Sequence, residues 1–161
     1  MKKLKLYLDT STISHLDQHD ASDKMQDTLR FWKDVEKGQY DIFLSYICFD
    51  ELLRCSHEKR MMLAEYISRV SYTHVSYSNE IYTLANEFVT HGILKQSSFD
   101  DAQHLASAMV SECDAIISLN FKHMVNVKTI GGIKIVAAIT RYRETAIYTP
   151  TMLLGGDNND S

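Results

Sequence analysis

Phe99-Asp100-Asp101-Ala102-Gln103-His104-Leu105-Ala106-Ser107-Ala108-Met109 leads, after a short polar break, into Ala115-Ile116-Ile117-Ser118-Leu119-Asn120. The first stretch sets Ala102, Leu105, Ala106 and Met109 at helical spacing and predicts an amphipathic helix opening at Ser97-Ser98. The second is a short apolar run of strand length. A helix that feeds into a strand is half of a βαβ unit, and the chain upstream supplies the other parts. Leu4, Leu6 and Leu8 alternate with Lys3, Lys5 and Tyr7 in a first strand that ends at Asp9. Met25, Leu29, Trp32 and Val35 mark a helix; residues 42–47 read as a second strand, and Glu51-Leu52-Leu53-Arg54 falls in the helix behind it. Leu63, Tyr66, Ile67 and Val70 mark another helix, 73–76 a short strand, and Ile81, Leu84, Ala85 and Phe88 a helix that Gly92 closes. Ile133-Lys134-Ile135-Val136 reads as the last strand, after a Gly131-Gly132 turn. The segment beyond Ala137 has no period that places it. Strands alternating with helices pair in parallel through right-handed crossovers, which predicts an α/β sheet covered by helices on both faces.

The length, 161 residues, is that of one domain, expected over 1–150, with a flexible tail over 151–161 that ends in Gly-, Asn- and Asp-rich sequence. Hydrophobic residues at 45% exclude disorder for most of the chain, and no apolar run is long enough to span a bilayer. The basic start meets Asp9 before any apolar core of a signal peptide develops, so a cytosolic location is expected. Three scattered cysteines suit a reducing compartment and give neither a disulfide framework nor a zinc site. With 17 Lys and Arg against 21 Asp and Glu, the net charge of −4 argues against a broad nucleic-acid grip. A metal or a local basic edge could still hold phosphate.

In an open parallel sheet the functional crevice lies beyond the carboxyl ends of the strands. Asp9 follows the first strand directly, Glu51 comes about a turn into the helix behind the second, and Asn120 follows the 115–118 strand. Asp101 lies in the first turn of a helix that runs against the strands, so its N-terminus is at the same edge. Three carboxylates and an amide oxygen therefore face one mouth. Crowded carboxylates repel one another unless a cation neutralises them. Oxygen donors suit a hard ion such as Mg²⁺ or Mn²⁺, which polarises a phosphodiester and acidifies water. Each residue also has a plainer reading. Asp9 could cap the next helix, Ser98 and Asp101 have capping-box spacing, Glu51 could be a solvated helix acid, and Asn120 a turn residue.

The same residues resemble the PIN-domain nucleases and, within them, the VapC-like toxin ribonucleases of bacterial toxin–antitoxin systems, from Leu6 to about Val136. Tyr7-Leu8-Asp9-Thr10-Ser11 is similar to that family's first strand and its Asp-Thr-Ser/Asn ending. Asp50-Glu51-Leu52-Leu53-Arg54 is similar to its E-L-x-R segment, residues 99–108 to its D-A-x-H-x-A-x-A helix, and residues 117–123 to its T-x-[DN]-x-x-H motif. The resemblance implies a three-layer α/β/α PIN-like fold with a mostly parallel central sheet. It implies Asp9, Glu51, Asp101 and Asn120 as metal-binding and catalytic residues, and Mg²⁺ or Mn²⁺ as cofactor. RNA is then the substrate, cut to leave a 3′-hydroxyl and a 5′-phosphate, and the partners are a cognate antitoxin protein and a second copy in a homodimer. Many members have Asp where this chain has Asn120, which removes one negative charge and predicts weaker ion binding.

Ser11 and Ser118 are expected to support the acids through hydrogen bonds, His104 to pack or to bond backbone, and Lys122 and His123 to lie at the crevice rim. Two other readings remain open at this point: a non-catalytic PIN module that binds RNA or protein, and a receiver-like signalling domain. The second needs a phosphoacceptor Asp at the end of its middle strand and a Lys near its last strand.

Overall fold

The computed structural model describes residues 2–155. Five strands, β1 (Lys5–Leu8), β2 (Asp41–Ser45), β3 (Tyr72–Val75), β4 (Ala115–Ile117) and β5 (Ala146–Tyr148), form one sheet in the order β3-β2-β1-β4-β5. Every pairing is parallel. Leu6 stands opposite both Ile42 and Ala115, and Leu8 opposite Ile117. The chain winds outward from β1 to β2 and β3, then returns to add β4 and β5 on the other side. That reversal makes the β1/β4 seam the topological switch point, where such sheets open a crevice at their carboxyl ends. The order also differs from the 2-1-3-4-5 arrangement of receiver-type folds, which sets the signalling reading aside.

Strand alternation sorts the core into two layers. Tyr7, Ile116 and Ile147 face α5 (Asn79–Thr90), α6 (Phe99–Val110) and α7 (Val127–Thr140), where Leu84, Phe88, Leu105, Met109, Ile133 and Val136 are buried. Leu6, Leu8, Leu44 and Ile117 face the opposite layer. There Phe31, Trp32 and Val35 of α2 (Ser22–Glu36), Leu52 of α3 (Tyr46–Leu52), and Leu63 and Ile67 of α4 (His57–Ser68) fill the core. α5 keeps the predicted stripe and close, with Gly92 ending it at φ +71°, and Ser78 Oγ caps its start by accepting from the Ile81 N–H.

Three local expectations are corrected. Residues 133–136 lie inside α7, not in a strand, and Gly131-Gly132 is helical rather than a turn. The alternation of Ile133 and Ile135 is only one short window of a helical pattern, in which Thr129, Gly132, Ile133, Val136 and Ala137 are the buried face. Gly132 has a packing reason to be there, since a Cβ at that position would lie 2.5 Å from Ile93 Cγ2. The strand beyond β4 is instead β5, three residues at the sheet edge, too short for periodicity to reveal. Tyr46 and Ile47 open α3 instead of extending β2. Ser98 precedes α6, but its side chain makes no capping bond. A 3₁₀ turn, Gln96–Ser98, runs straight into the helix, and Ser98 (ψ 28°) lacks the extended backbone of a capping residue, so no capping box engages Asp101.

Pro150 starts a last short helix, α8 (Pro150–Leu153), which packs on α2 and lays Leu153 and Leu154 against the second core layer. The end of the expected tail, 156–161, lies outside the described residues. Among the described residues no helix is long and apolar enough to cross a membrane.

Candidate active site

Asp9 sits where β1 ends, and its backbone is extended (φ −80°, ψ 173°), which points the carboxylate back over the first turn of α1 (Thr10–Ser14). Its Oδ1 accepts from the Thr12 N–H at 3.1 Å and from Ser11 Oγ at 2.6 Å, so the helix-cap reading holds. Its Oδ2 accepts from Ser118 Oγ at 2.5 Å, just beyond β4. Ser11 Oγ in turn accepts from the Leu119 N–H at 2.9 Å, Ser118 Oγ accepts from the Asn120 N–H at 3.0 Å, and Thr12 Oγ1 donates to the Ile117 carbonyl at 2.7 Å. Asp9 is thus the knot that ties the carboxyl ends of β1 and β4 together, only 3% exposed. The support expected of Ser11 and Ser118 is present in both hydroxyls.

Glu51 approaches from the last turn of α3. Its Oε1 accepts from Thr10 Oγ1 at 2.9 Å and from His104 Nε2 at 2.6 Å. His104, three residues beyond Asp101 on α6 and 2% exposed, also meets the Tyr7 hydroxyl through Nδ1 at 2.6 Å, and Tyr7 meets Ser45 Oγ at 2.6 Å. Burial works against a charge on His104. The hydrogen bond to Glu51 and the carboxylates of Asp9, Glu51 and Asp101 outweigh it, and the imidazole pKa ends above its ordinary value. Burial likewise works against Glu51, but His104, Thr10 and Arg54 outweigh it and hold its pKa below the usual carboxylate value. The two directions belong to one coupled pair, in which each partner favours the charged form of the other. With both ring nitrogens protonated, His104 donates to Glu51 and to Tyr7 oxygen. Tyr7, whose phenol burial holds well above its ordinary range, then donates to Ser45.

Asp101 enters from the first turn of α6, half-buried. Burial raises its pKa, the nearby His104 and His123 pull it down, and the like charges of Asp9 and Glu51 push it up again; the net direction is upward. Its hydrogen bond from Asn120 Nδ2 is long, 3.5 Å. Asn120 keeps its oxygen for the His123 N–H at 3.1 Å, as a turn residue does, and presents its amide nitrogen to Asp101. Asp100 faces outward, 3.8 Å from Arg54.

All four expected residues therefore border one mouth at the β1/β4 switch point, and the three acids feel one another. They do not close on a single point: among the described residues no three carboxylate, imidazole or thiol groups lie together as an ion cage. Mutual repulsion opposes such closure, and each acid has its own anchor instead. The donor chemistry still fits a hard divalent ion, which commonly takes one or two carboxylates and completes its shell with water. Asp101 is the carboxylate with the fewest commitments. The sequence reading missed Tyr7 and Thr10, and it expected His104 to pack or to bond backbone, whereas the imidazole bonds three side chains, Glu51, Tyr7 and, at 3.3 Å, Thr10. The signal for it was available: position 104 shares a helix face with Asp101.

No family model matches the chain, and no curated protein matches it. A solved structure does: a chain of the crystal structure of VapBC2 from Rickettsia felis, bound to a DNA fragment from their promoter, is similar over 91% of this chain and 98% of that one. The TM-score is 0.57 and the identity 13%. At that identity the likeness defines a fold, an α/β sandwich of the PIN-domain kind built on an all-parallel sheet.

Proposed function

We propose that this chain is a divalent-metal-dependent endoribonuclease and serves as the toxin of a type II toxin–antitoxin pair. The observation that supports the reading is that Asp9, Glu51 and Asp101, far apart in sequence, border the same switch-point mouth of a PIN-like fold, though they do not close into a cage. The similarity to a chain of VapBC2 supports it. In this reading Asp9, Glu51, Asp101 and Asn120 border the Mg²⁺ or Mn²⁺ ion, with Asp101 the freest donor and Asp9 the most rigidly held. When bound, the ion would neutralise charge on the phosphodiester and lower the pKa of attacking water. The chain's own part is to fix these oxygens: Ser11 and Ser118 immobilise Asp9, His104 and Thr10 orient Glu51, and Asn120 steadies Asp101.

The partners in this reading are RNA, a cognate antitoxin that covers the mouth, and a second copy of the chain, all in the cytosol, with residues 1–150 as the nuclease domain. The test is cleavage of total RNA by the purified chain with Mg²⁺ or Mn²⁺. Cleavage that EDTA stops, and that Asp9→Asn and Asp101→Asn each reduce at least 100-fold while the circular-dichroism melt persists, supports the proposal. Cleavage indifferent to both treatments overturns it. Growth arrest on expression in bacteria, lost with Asp9→Asn, tests toxicity, and light scattering tests the dimer. The orientation of Asn120, oxygen turned to His123, favours a second reading, a PIN module that binds without cutting. Calorimetric titration that finds no ion bound at millimolar Mg²⁺ or Mn²⁺ would favour it.

A further inference from the structure

Beyond Asn120 the chain turns through Phe121, Lys122 and His123 into α7. A groove of about 730 Å³ lies between this turn, the first turn of α7 and the segment that leads into α6. Lys95, Lys122, Lys128 and His123 line it, Ile93 contributes apolar wall, and no Asp or Glu is among its lining residues. In a chain with net charge −4 this is a local reversal of sign. Asn126 caps α7 by accepting the Thr129 N–H at 2.8 Å and also lines the groove. The helix's leading N–H groups, which have no partner within a helix, and the positive end of its dipole therefore lie at the same place.

The groove adjoins the acid mouth through His123, whose backbone N–H donates to Asn120 Oδ1 at 3.1 Å. Phe121, between Asn120 and Lys122, is not part of the groove's lining but adjoins it through Lys122; its ring packs under Lys24 of α2, Nζ 5.1 Å from the centroid, and 47% of its surface stays exposed. Lysines tracking phosphates beside an exposed aromatic ring are the combination by which proteins hold single-stranded nucleic acid. An acidic peptide would answer the lysines but would leave the ring without a base to stack.

We propose that this groove is the track for a single RNA strand, with Lys95, Lys122 and Lys128 on backbone phosphates and Phe121 beneath a base next to the acid mouth. The choice of RNA rests on the endoribonuclease reading above. The track delivers a strand to acids that would otherwise repel it, which explains how an acidic chain can engage a polyanion.

The test is fluorescence anisotropy with a 5′-fluorescein 12-nucleotide oligouridylate across a NaCl series, with EDTA present so that binding is read without cleavage. All three lysines are exposed, so their variants should fold, and thermal melts verify it. Lys122→Ala/Lys128→Ala should weaken binding about 10-fold or more and flatten the log–log salt slope by about 1.4, two phosphates at roughly 0.7 each. Phe121→Ala should weaken binding roughly 5- to 10-fold with the slope unchanged, because stacking releases no counterions. Lys134→Ala, on the exposed side of α7 outside the groove, should leave binding unchanged.

The track is overturned by a wild-type chain that shows no binding at 50 μM, or by a double variant that binds within twofold of wild type. It is equally overturned by poly-L-glutamate that competes as well as unlabelled oligouridylate, which would make the groove a site for acidic protein. These results are independent of catalysis. A chain that never cuts RNA can still show the track, and Asp9-dependent cutting with an unaffected double variant would remove the track alone.

Discussion

Three carboxylates meet at one mouth in three different states of commitment. Glu51 is bound to the buried imidazole of His104, whose pKa it helps to raise, and to Thr10. Asp9 is surrounded by hydroxyl and N–H donors from the first turn of α1 and from Ser118, just beyond β4. Asp101 has one long contact with an amide. A buried charge is tolerable only when it is paired or hydrogen-bonded, so the first two acids have become part of the fold. The third remains available, in an environment that resists its charge. The comparison separates residues that build the mouth from the residue most able to receive something in it, and it also modifies the electrostatic expectation drawn from sequence. Three crowded acids do not rely wholly on an external ion, because they raise the pKa of His104, a group from within the chain that becomes positive when protonated.

Breaking the Glu51 pair should produce the largest effect. His104→Ala removes the imidazole and leaves Glu51 and the Tyr7 hydroxyl without their shared partner. Removal of one member of a buried pair costs about 3–5 kcal/mol. Glu51 retains some exposure to water, so a loss of about 3 kcal/mol is expected in urea denaturation of the ion-free chain. A loss under about 1 kcal/mol would mean that His104 is neutral filler and that Glu51 is no better committed than Asp101.

Asp9→Ala should come next. It removes an N-cap, about 1 kcal/mol, and leaves Ser11 and Ser118 without their charged acceptor. Hydrogen bonds to charged groups contribute about 1.5–3 kcal/mol, and water entering the opened seam returns part of that loss. A cost of about 2–3 kcal/mol is expected by the same measurement, with faster amide exchange at Leu119 and Asn120, whose N–H groups bond to the two serines. Unchanged exchange there would show that the backbone, not Asp9, holds β1 to β4.

The comparison also shows what could be read from sequence and what could not. The helical stripe of α5 is a local pattern set by burial on one face and was legible; the alternation at Leu4, Leu6 and Leu8 located β1 but not its burial, since Leu4 lies outside the strand and exposed while Tyr7 is as buried as Leu6 and Leu8. The placing of Asp9, Glu51, Asp101 and Asn120 at one mouth followed from strand direction, a topological rule that needs no coordinates. The 133–136 helix was not legible as one, because Ile133 and Ile135 alternate over a short window and its packed face, on which Gly132 sits close to Ile93, involves residues far apart in sequence. β5 was hidden for a related reason: three residues at a sheet edge become a strand only through pairing with β4. The commitments of the acids were invisible as well. Whether Glu51 is a solvated helix acid or half of an ion pair depends on Tyr7, Thr10 and His104, drawn from three separate elements.

Asp101→Asn should have the smallest effect on stability, and its sign carries the information. In ion-free buffer near neutral pH the carboxylate is half-buried, close to two like charges and poorly hydrogen-bonded. The amide keeps the shape, removes the charge, and can still meet Asn120. Loss of a surface contact would cost up to about 0.5 kcal/mol, but here relief of repulsion and desolvation acts in the opposite direction. Stability should therefore stay level or rise, while Asp9→Ala in the same buffer falls. If Asp101→Asn is instead destabilised as much as Asp9→Ala, the two acids are equally built into the fold, and no carboxylate at the mouth is held in reserve. A rise would mean that the fold tolerates an unfavourable charge at this position, as expected where a binding site keeps a group that folding alone does not want.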